Sequence, residues 1–168
     1  SFNKNKKIKS IIVASSDKSY GSYPKQDLPY KENYSSRAIF PYDVSKACAD
    51  MITKTYSSSL FNLPIITTRF ANIYGPGQLH FSALIPDLVR SIIKNIPFIP
   101  RGDGKDIRDY VYIEDIIDLY LLLSSKLYKN KHLRGEIFNA GTTKGYTVNH
   151  IIKTLCSLSN RPDLYSSI

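Results

Sequence analysis

Cysteine is scarce in this chain, and long apolar runs are missing altogether. The two cysteines, Cys48 and Cys156, are far apart and fall in stretches of helical composition, which excludes a disulfide framework and a zinc knuckle. Each reads as a small buried hydrophobe. His80, His132 and His150 show no metal-ligand spacing, so no metal site is expected. No stretch approaches the ~20 apolar residues that span a bilayer. The start, Ser1-Phe2-Asn3-Lys4-Asn5-Lys6-Lys7, has no apolar signal-peptide core. Cytoplasm is therefore the expected location, and no membrane partner is expected. Acidic residues are outnumbered, 14 against 23 Lys and Arg, for a net charge of +9. The lysines are nevertheless scattered beyond the first nine residues. No recognition helix, aromatic-basic RNA motif or zinc spacing accompanies them, which argues against a nucleic-acid partner. An anionic small molecule is compatible with the charge.

Hydrophobic periodicity supplies the elements. Ile8 to Ala14 reads as a strand buried on both faces, as parallel sheets require. Residues 21 to 41, with Pro24, Pro29 and Asn33, form a loop. Tyr42 to Leu60 has helical composition, with Val44, Ala47, Cys48, Met51 and Ile52 spaced for one buried stripe. Leu63 to Ala71 is a second strand, which completes a βαβ unit. Asn72 to Gly77 reads as a turn at that strand's carboxyl end, where open α/β sheets place their ligands. A helix over Phe81 to Lys94 and a short strand over Pro97 to Pro100 follow. Beyond them come a strand over Ile107 to Tyr112, a helix over Ile113 to Leu127 and a strand over Glu136 to Asn139. Thr147 caps a last amphipathic helix, Val148 to Leu158, with Val148, Ile151, Ile152 and Leu155 on its buried stripe.

Two short segments carry the chemistry: Ser15-Ser16-Asp17-Lys18-Ser19-Tyr20-Gly21 and Pro41-Tyr42-Asp43-Val44-Ser45-Lys46. On a helix, Tyr42 and Lys46 stand one turn apart on one face. An ammonium beside a phenol favours the phenolate and suits it to act as a base. Ser16, at the end of a strand, is placed to share a hydrogen bond with the same substrate hydroxyl. Such a group abstracts a proton beside an alcohol carbon and needs a hydride acceptor.

Five motifs in order extend the pattern: Ser-Ser-x-x-x-Tyr-Gly, Tyr-x-x-x-Lys, Arg-x-x-Asn-x-Tyr-Gly-Pro-Gly, Arg-Asp-Tyr-Val-Tyr-Ile-Glu-Asp and Phe-Asn-Ala-Gly. From about Ile11 to Leu158 the chain resembles the NAD-dependent epimerase/dehydratase family of extended short-chain dehydrogenase/reductases. Within that group it looks most like the CDP-glucose 4,6-dehydratases, on Ser16-Asp17-Lys18, residues 41 to 50 and residues 72 to 86. The resemblance implies NAD as cofactor and a nucleotide-diphosphate sugar as substrate. It gives Tyr42 the proton of the sugar 4-hydroxyl, Lys46 the nicotinamide ribose and Ser16 the orientation of the hydroxyl. Asp17 protonates the departing 6-hydroxyl, and Lys18 removes the C5 proton or positions a water that does. Asn72 and Arg108 bind substrate, Arg108 pairing with the diphosphate through its fork of donors. Arg69 and Asn139 stay outside the catalytic set.

What the resemblance implies for the fold is the C-terminal part of a Rossmann-type doubly wound parallel sheet plus a partial, mixed α/β substrate-binding region. Residues 1–75 form the second half of the NAD-binding domain, and residues 76–168 are mainly the sugar-nucleotide region with returning Rossmann elements. The family's Gly-x-x-Gly-x-x-Gly turn does not occur in the sequence. On the order of 100 residues of βαβ structure are expected before Ile11, so the chain is expected to be a fragment, inactive alone and a homodimer when full length. Plain alternatives remain beside these readings. Asp17 and Lys18 make a solvated turn; Arg108, Asp109 and Glu114 make an ion-pair cluster; Gly75-Pro76-Gly77 is turn geometry rather than a phosphate cradle. The functional alternatives are a nucleotide-sugar 4-epimerase and a non-catalytic relic or scaffold.

Overall fold

The computed structural model describes residues 8–165, so the basic start at residues 1–7 lies outside the described residues. The chain divides into two compact units, residues 1–71 with 114–141 and residues 72–113 with 142–168.

The first unit is built on a parallel sheet of β1 (Ile11–Ser16), β2 (Ile65–Phe70) and β5 (Ile137–Ala140), in the order β1-β2-β5. Every residue of β2 is buried. Its side chains alternate between two helices, as the period of two requires. Ile66 packs with Leu123 and Leu127 of α3 (Ile113–Lys129), and Phe70 meets Tyr120 of the same helix. On the opposite face, Arg69 reaches Asp50 of α1 (Pro41–Ser57). A parallel sheet with helices on both faces is the doubly wound arrangement expected from the sequence.

Helix α1 is the main departure from expectation. Its buried residues are Ala47, Asp50 and Thr53, whereas Val44, Cys48, Met51 and Ile52 are exposed. Of the expected apolar stripe only Ala47 is buried and the other four residues form an outer face, and of the two cysteines only Cys156 is buried. The reason is electrostatic. Arg69 on the central strand needs a carboxylate partner, and Asp50 supplies it with Nε to Oδ2 at 2.8 Å, which turns the small Ala47 and Thr53 toward the sheet. Removing one partner of such a buried pair leaves an uncompensated charge.

In the second unit, β3 (Asn72–Tyr74) pairs in parallel with β4 (Ile107–Tyr112), and β4 pairs antiparallel with β6 (Gly145–Thr147). Residues 72 to 74 are thus a strand, and the turn begins at Gly75, where Gln78 N donates to its carbonyl. Pro97 to Pro100 is not a strand. Its two prolines have no N–H to give, so Phe98 alone bridges Tyr165, its N–H donating to the Leu164 carbonyl at 2.9 Å. Helices α2 (Leu84–Lys94) and α4 (Val148–Leu158) enclose a core of Leu88, Phe98, Ile152 and Cys156. Burial pushes the Cys156 thiol above its ordinary value, with Asp163 adding to the effect. The Thr147 hydroxyl accepts from His150 N, the cap read from the sequence.

Asp50→Ala is expected to lower the unfolding free energy by about 3–5 kcal/mol, the range for a broken buried ion pair. Urea denaturation measures it; a loss under about 1 kcal/mol, as for an exposed pair, would refute the burial argument.

Candidate active site

Strand β1 ends at Ser16, and the chain turns at once through a single 3-10 turn, Asp17–Tyr20. Ser16 caps that turn. Its Oγ accepts from Lys18 N at 3.2 Å, and its hydroxyl donates to Asp17 Oδ1 at 3.1 Å. In this arrangement the Ser16 proton is committed to Asp17. Gly21 closes the turn at φ +71°, and a Cβ there would run into the Arg37 carbonyl, so the position requires glycine.

Helix α1 packs against this turn and against β1 and β2. It starts at Pro41, whose fixed φ suits a first helical position. Tyr42, one residue on, is 56% exposed and open to a ligand. The Lys46 ammonium lies 5.7 Å from the Tyr42 ring centroid and donates to the Ala14 carbonyl at 3.4 Å, which ties α1 to the carboxyl-terminal half of β1. The structure thus brings Ser16, Asp17, Lys18, Tyr42 and Lys46 to one end of the first unit, at the carboxyl end of its parallel strands. A phenol, an ammonium, a carboxylate and a hydroxyl there can exchange protons with a polyol.

Asn72 and Arg108 belong to the second unit. Asn72 Nδ2 donates to the Asp109 carbonyl at 2.9 Å, and Arg108 Nη2 pairs with Asp106 Oδ2 at 3.0 Å. The alternative cluster of Arg108 with Asp109 and Glu114 does not form, because the Asp109 carboxylate is taken by another partner. It accepts from Thr142 N at 2.9 Å, Thr143 N at 3.1 Å and the Thr142 hydroxyl at 2.5 Å, which pins a turn whose Thr143 has φ +61°. Asp106 also lines a cavity of about 390 Å³, floored by Leu84, Phe98, Pro100 and Val148 and edged by Arg101 and Asp103. Among the described residues no group of His, Cys, Asp or Glu can hold a metal ion, and no helix is long and apolar enough to cross a membrane.

Sequence reading missed Asp109 and Tyr20 as organisers. Both stood inside quoted motifs, but their partners are over 30 and over 100 residues distant, at Thr142 and Asn139.

Residues 2–141 match the model of the NAD dependent epimerase/dehydratase family. The chain belongs to that family. It is 33% identical over 156 residues to the trifunctional UDP-glucose 4,6-dehydratase/UDP-4-keto-6-deoxy-D-glucose 3,5-epimerase/UDP-4-keto-L-rhamnose-reductase of Arabidopsis thaliana, covering 91% of this chain and 22% of that protein. It superposes with TM-score 0.83 and 28% identity on dTDP-glucose 4,6-dehydratase from Bacillus anthracis in complex with NAD, covering 94% of this chain and 48% of that one. A UDP-N-acetylglucosamine 4-epimerase from Methanobrevibacter ruminantium gives TM-score 0.82 and 25% identity, covering 96% and 50%. The chain spans about half of these two solved chains, and less of the plant protein.

The residues present fit one end of NAD. The exposed Tyr42 side chain and the Lys46 ammonium carry hydrogen-bonding groups of the kind a ribose would need. The glycine-rich turn that would grip a pyrophosphate is not in the sequence.

Asp109→Asn is expected to loosen the turn that follows β5. Hydrogen–deuterium exchange should show the Thr142 and Thr143 amides exchanging at least about tenfold faster, as for loss of a charge-assisted hydrogen bond. Unchanged protection would mean that the turn holds itself.

Proposed function

We propose that the protein carrying this chain is an NAD-dependent nucleotide-sugar 4,6-dehydratase (a lyase) that converts CDP-glucose, or a close analogue, to a 4-keto-6-deoxy sugar. One observation carries the reading: an acid and an amine, Asp17 and Lys18, sit in a turn packed against the helix that presents Tyr42 and Lys46. An alcohol oxidation needs only Tyr42, Lys46 and Ser16. The further pair suits a second proton exchange at neighbouring carbons.

In this reading residues 1–75 are the second half of the NAD-binding domain. Residues 76–168 are mainly the sugar-nucleotide region with returning Rossmann elements. Bound NAD supplies the acceptor for the C4 hydrogen and returns it at C6. Tyr42 takes the proton of the sugar 4-hydroxyl, Lys46 holds the ribose, and Ser16, its hydroxyl turned away from Asp17, donates to the 4-hydroxyl oxygen and orients it. A 4-ketone acidifies the C5 proton, so elimination across C5 and C6 becomes accessible. Lys18 takes that proton directly or through water, the C6–O bond breaks, and Asp17 protonates the departing hydroxyl to water; as C6 regains hydrogen, Lys18 gives the proton back to C5. Asn72 and Arg108 bind the substrate, Arg108 through the diphosphate. The relatives named above act on UDP- and dTDP-sugars, so the cytosine preference rests on Ser16-Asp17-Lys18 and the segments 41–50 and 72–86. The exposed row Val44, Cys48, Met51 and Ile52 supports a homodimer formed through α1 in the full-length protein.

Incubating the full-length protein with CDP-, UDP- and dTDP-glucose is expected to give a 4-keto-6-deoxy product, fastest from CDP-glucose. A C4 epimer with no loss of water would establish the 4-epimerase instead, and inactivity on every sugar nucleotide would favour a relic. Tyr42→Phe is expected to lower turnover at least about a hundredfold, the lower end for a general base, with sugar-nucleotide affinity nearly intact. Turnover within a few-fold of the parent would refute its role.

A further inference from the structure

Tyr20 is the last residue of the turn that carries Asp17 and Lys18, and it is almost completely buried, at 1% exposure. Its hydroxyl donates to Asn139 Oδ1 at 2.7 Å. Asn139 is held in turn: its Nδ2 donates to the Tyr30 carbonyl at 2.9 Å, and its backbone N–H to Glu32 Oε1 at 3.0 Å. Tyr30 stacks on Tyr20 with ring centroids 4.7 Å apart, and its hydroxyl donates to the Gly21 carbonyl at 2.9 Å. The Arg69 guanidinium lies 4.2 Å from the Tyr20 ring centroid, and Arg69 is fixed by Asp50 of α1. Burial, the largest effect, pushes the Tyr20 phenol above its ordinary value, with Arg69 and Asn139 acting the other way, so the hydroxyl stays a donor at neutral pH.

Resting on the dehydratase reading above, we propose that Tyr20 and Asn139 are positioning residues for the elimination step. Their hydrogen bond fixes the Asp17–Tyr20 turn on the sheet, so that Asp17 and Lys18 stand in register with the C6 hydroxyl and the C5 proton. Neither residue touches substrate in this role. The two proton exchanges have different nearest supports: Lys46 on α1 is tied to the Ala14 carbonyl, whereas Asp17 and Lys18 share their short turn with Tyr20 itself. Loosening Tyr20 therefore affects loss of water more than formation of the ketone.

Tyr20→Phe separates these effects, because it keeps the ring, its stacking on Tyr30 and the Arg69 guanidinium beside that ring, while removing the hydroxyl that meets Asn139 and Arg69. In the full-length protein with its cofactor and the sugar nucleotide that the unsubstituted enzyme dehydrates, quenching with borodeuteride traps every 4-ketone. The expected result is loss of water slowed by at least about fivefold, as for one lost hydrogen bond, with 4-ketone formation within about twofold. A trapped C4-deuterated hexose that keeps its 6-hydroxyl should then accumulate. Faster amide exchange over residues 17–21 should accompany it. Asn139→Ala should give the same signature, and the double variant should be no slower than Asn139→Ala alone, since coupled residues are not additive. If both steps fall equally, or neither falls, the positioning role is refuted while the dehydratase reading stands. If the unsubstituted enzyme itself releases no water, it is the dehydratase reading that fails.

Discussion

The buried ion pair between Arg69 and Asp50 is the constraint on which the first unit depends. A guanidinium on a central, fully buried strand is tolerable only with a carboxylate beside it. That requirement fixes how α1 is rotated about its axis. With Asp50 turned to the sheet, Lys46 comes to the Ala14 carbonyl and Tyr42 to the solvent-facing mouth of the strands. The same guanidinium lies against Tyr20, so a single side chain of β2 references both chemical segments to the sheet. The pair is incompletely satisfied: Asp50 Oδ1 and Arg69 Nη1 are buried with no hydrogen-bond partner among the described residues. Its value therefore lies in orientation rather than in stability, since an apolar pair of similar volume often stabilises as well or better.

Local patterns carried the fold far. The apolar triplet Ile11-Ile12-Val13, the run from Ile65 to Phe70 and the alternation in 107 to 112 all became strands, and Thr147 with its following stripe became a capped helix. Periodicity failed where a polar contact outranked it. Helix α1 has a respectable apolar stripe, yet Asp50 decided which face went inward, and nothing within 41 to 57 announces a partner at residue 69. Pro97 to Pro100 looked extended, and it is, but extension without donors gives one bridge instead of a ladder. Residues 72 to 74 were hidden because a parallel partner nearly 40 residues later is needed to make them a strand.

The candidate site divides along the same line. Tyr42, Lys46, Ser16, Asp17 and Lys18 were legible because their spacing is local and their chemistry is written in residue types. Tyr20, Asn139 and Asp109 were not, because they act through hydrogen bonds to distant segments, and a tyrosine or asparagine in sequence does not reveal whether its polar atom is already committed. The ordinary-looking residues turn out to tie distant segments together, Tyr20 to Asn139 and Asp109 to Thr142.

Each unit is assembled from two separate stretches of chain, with crossings after Ala71, Ile113 and Gly141. During synthesis, therefore, β1 and β2 emerge long before β5, and Tyr20 waits for Asn139 until the first stretch of the other unit has left the ribosome. For the interval before residue 139 appears, a tyrosine that is buried in the finished fold and the edge of β2 that β5 will cover both lack their partners, which leaves that stretch of nascent chain open to aggregation and to chaperone capture.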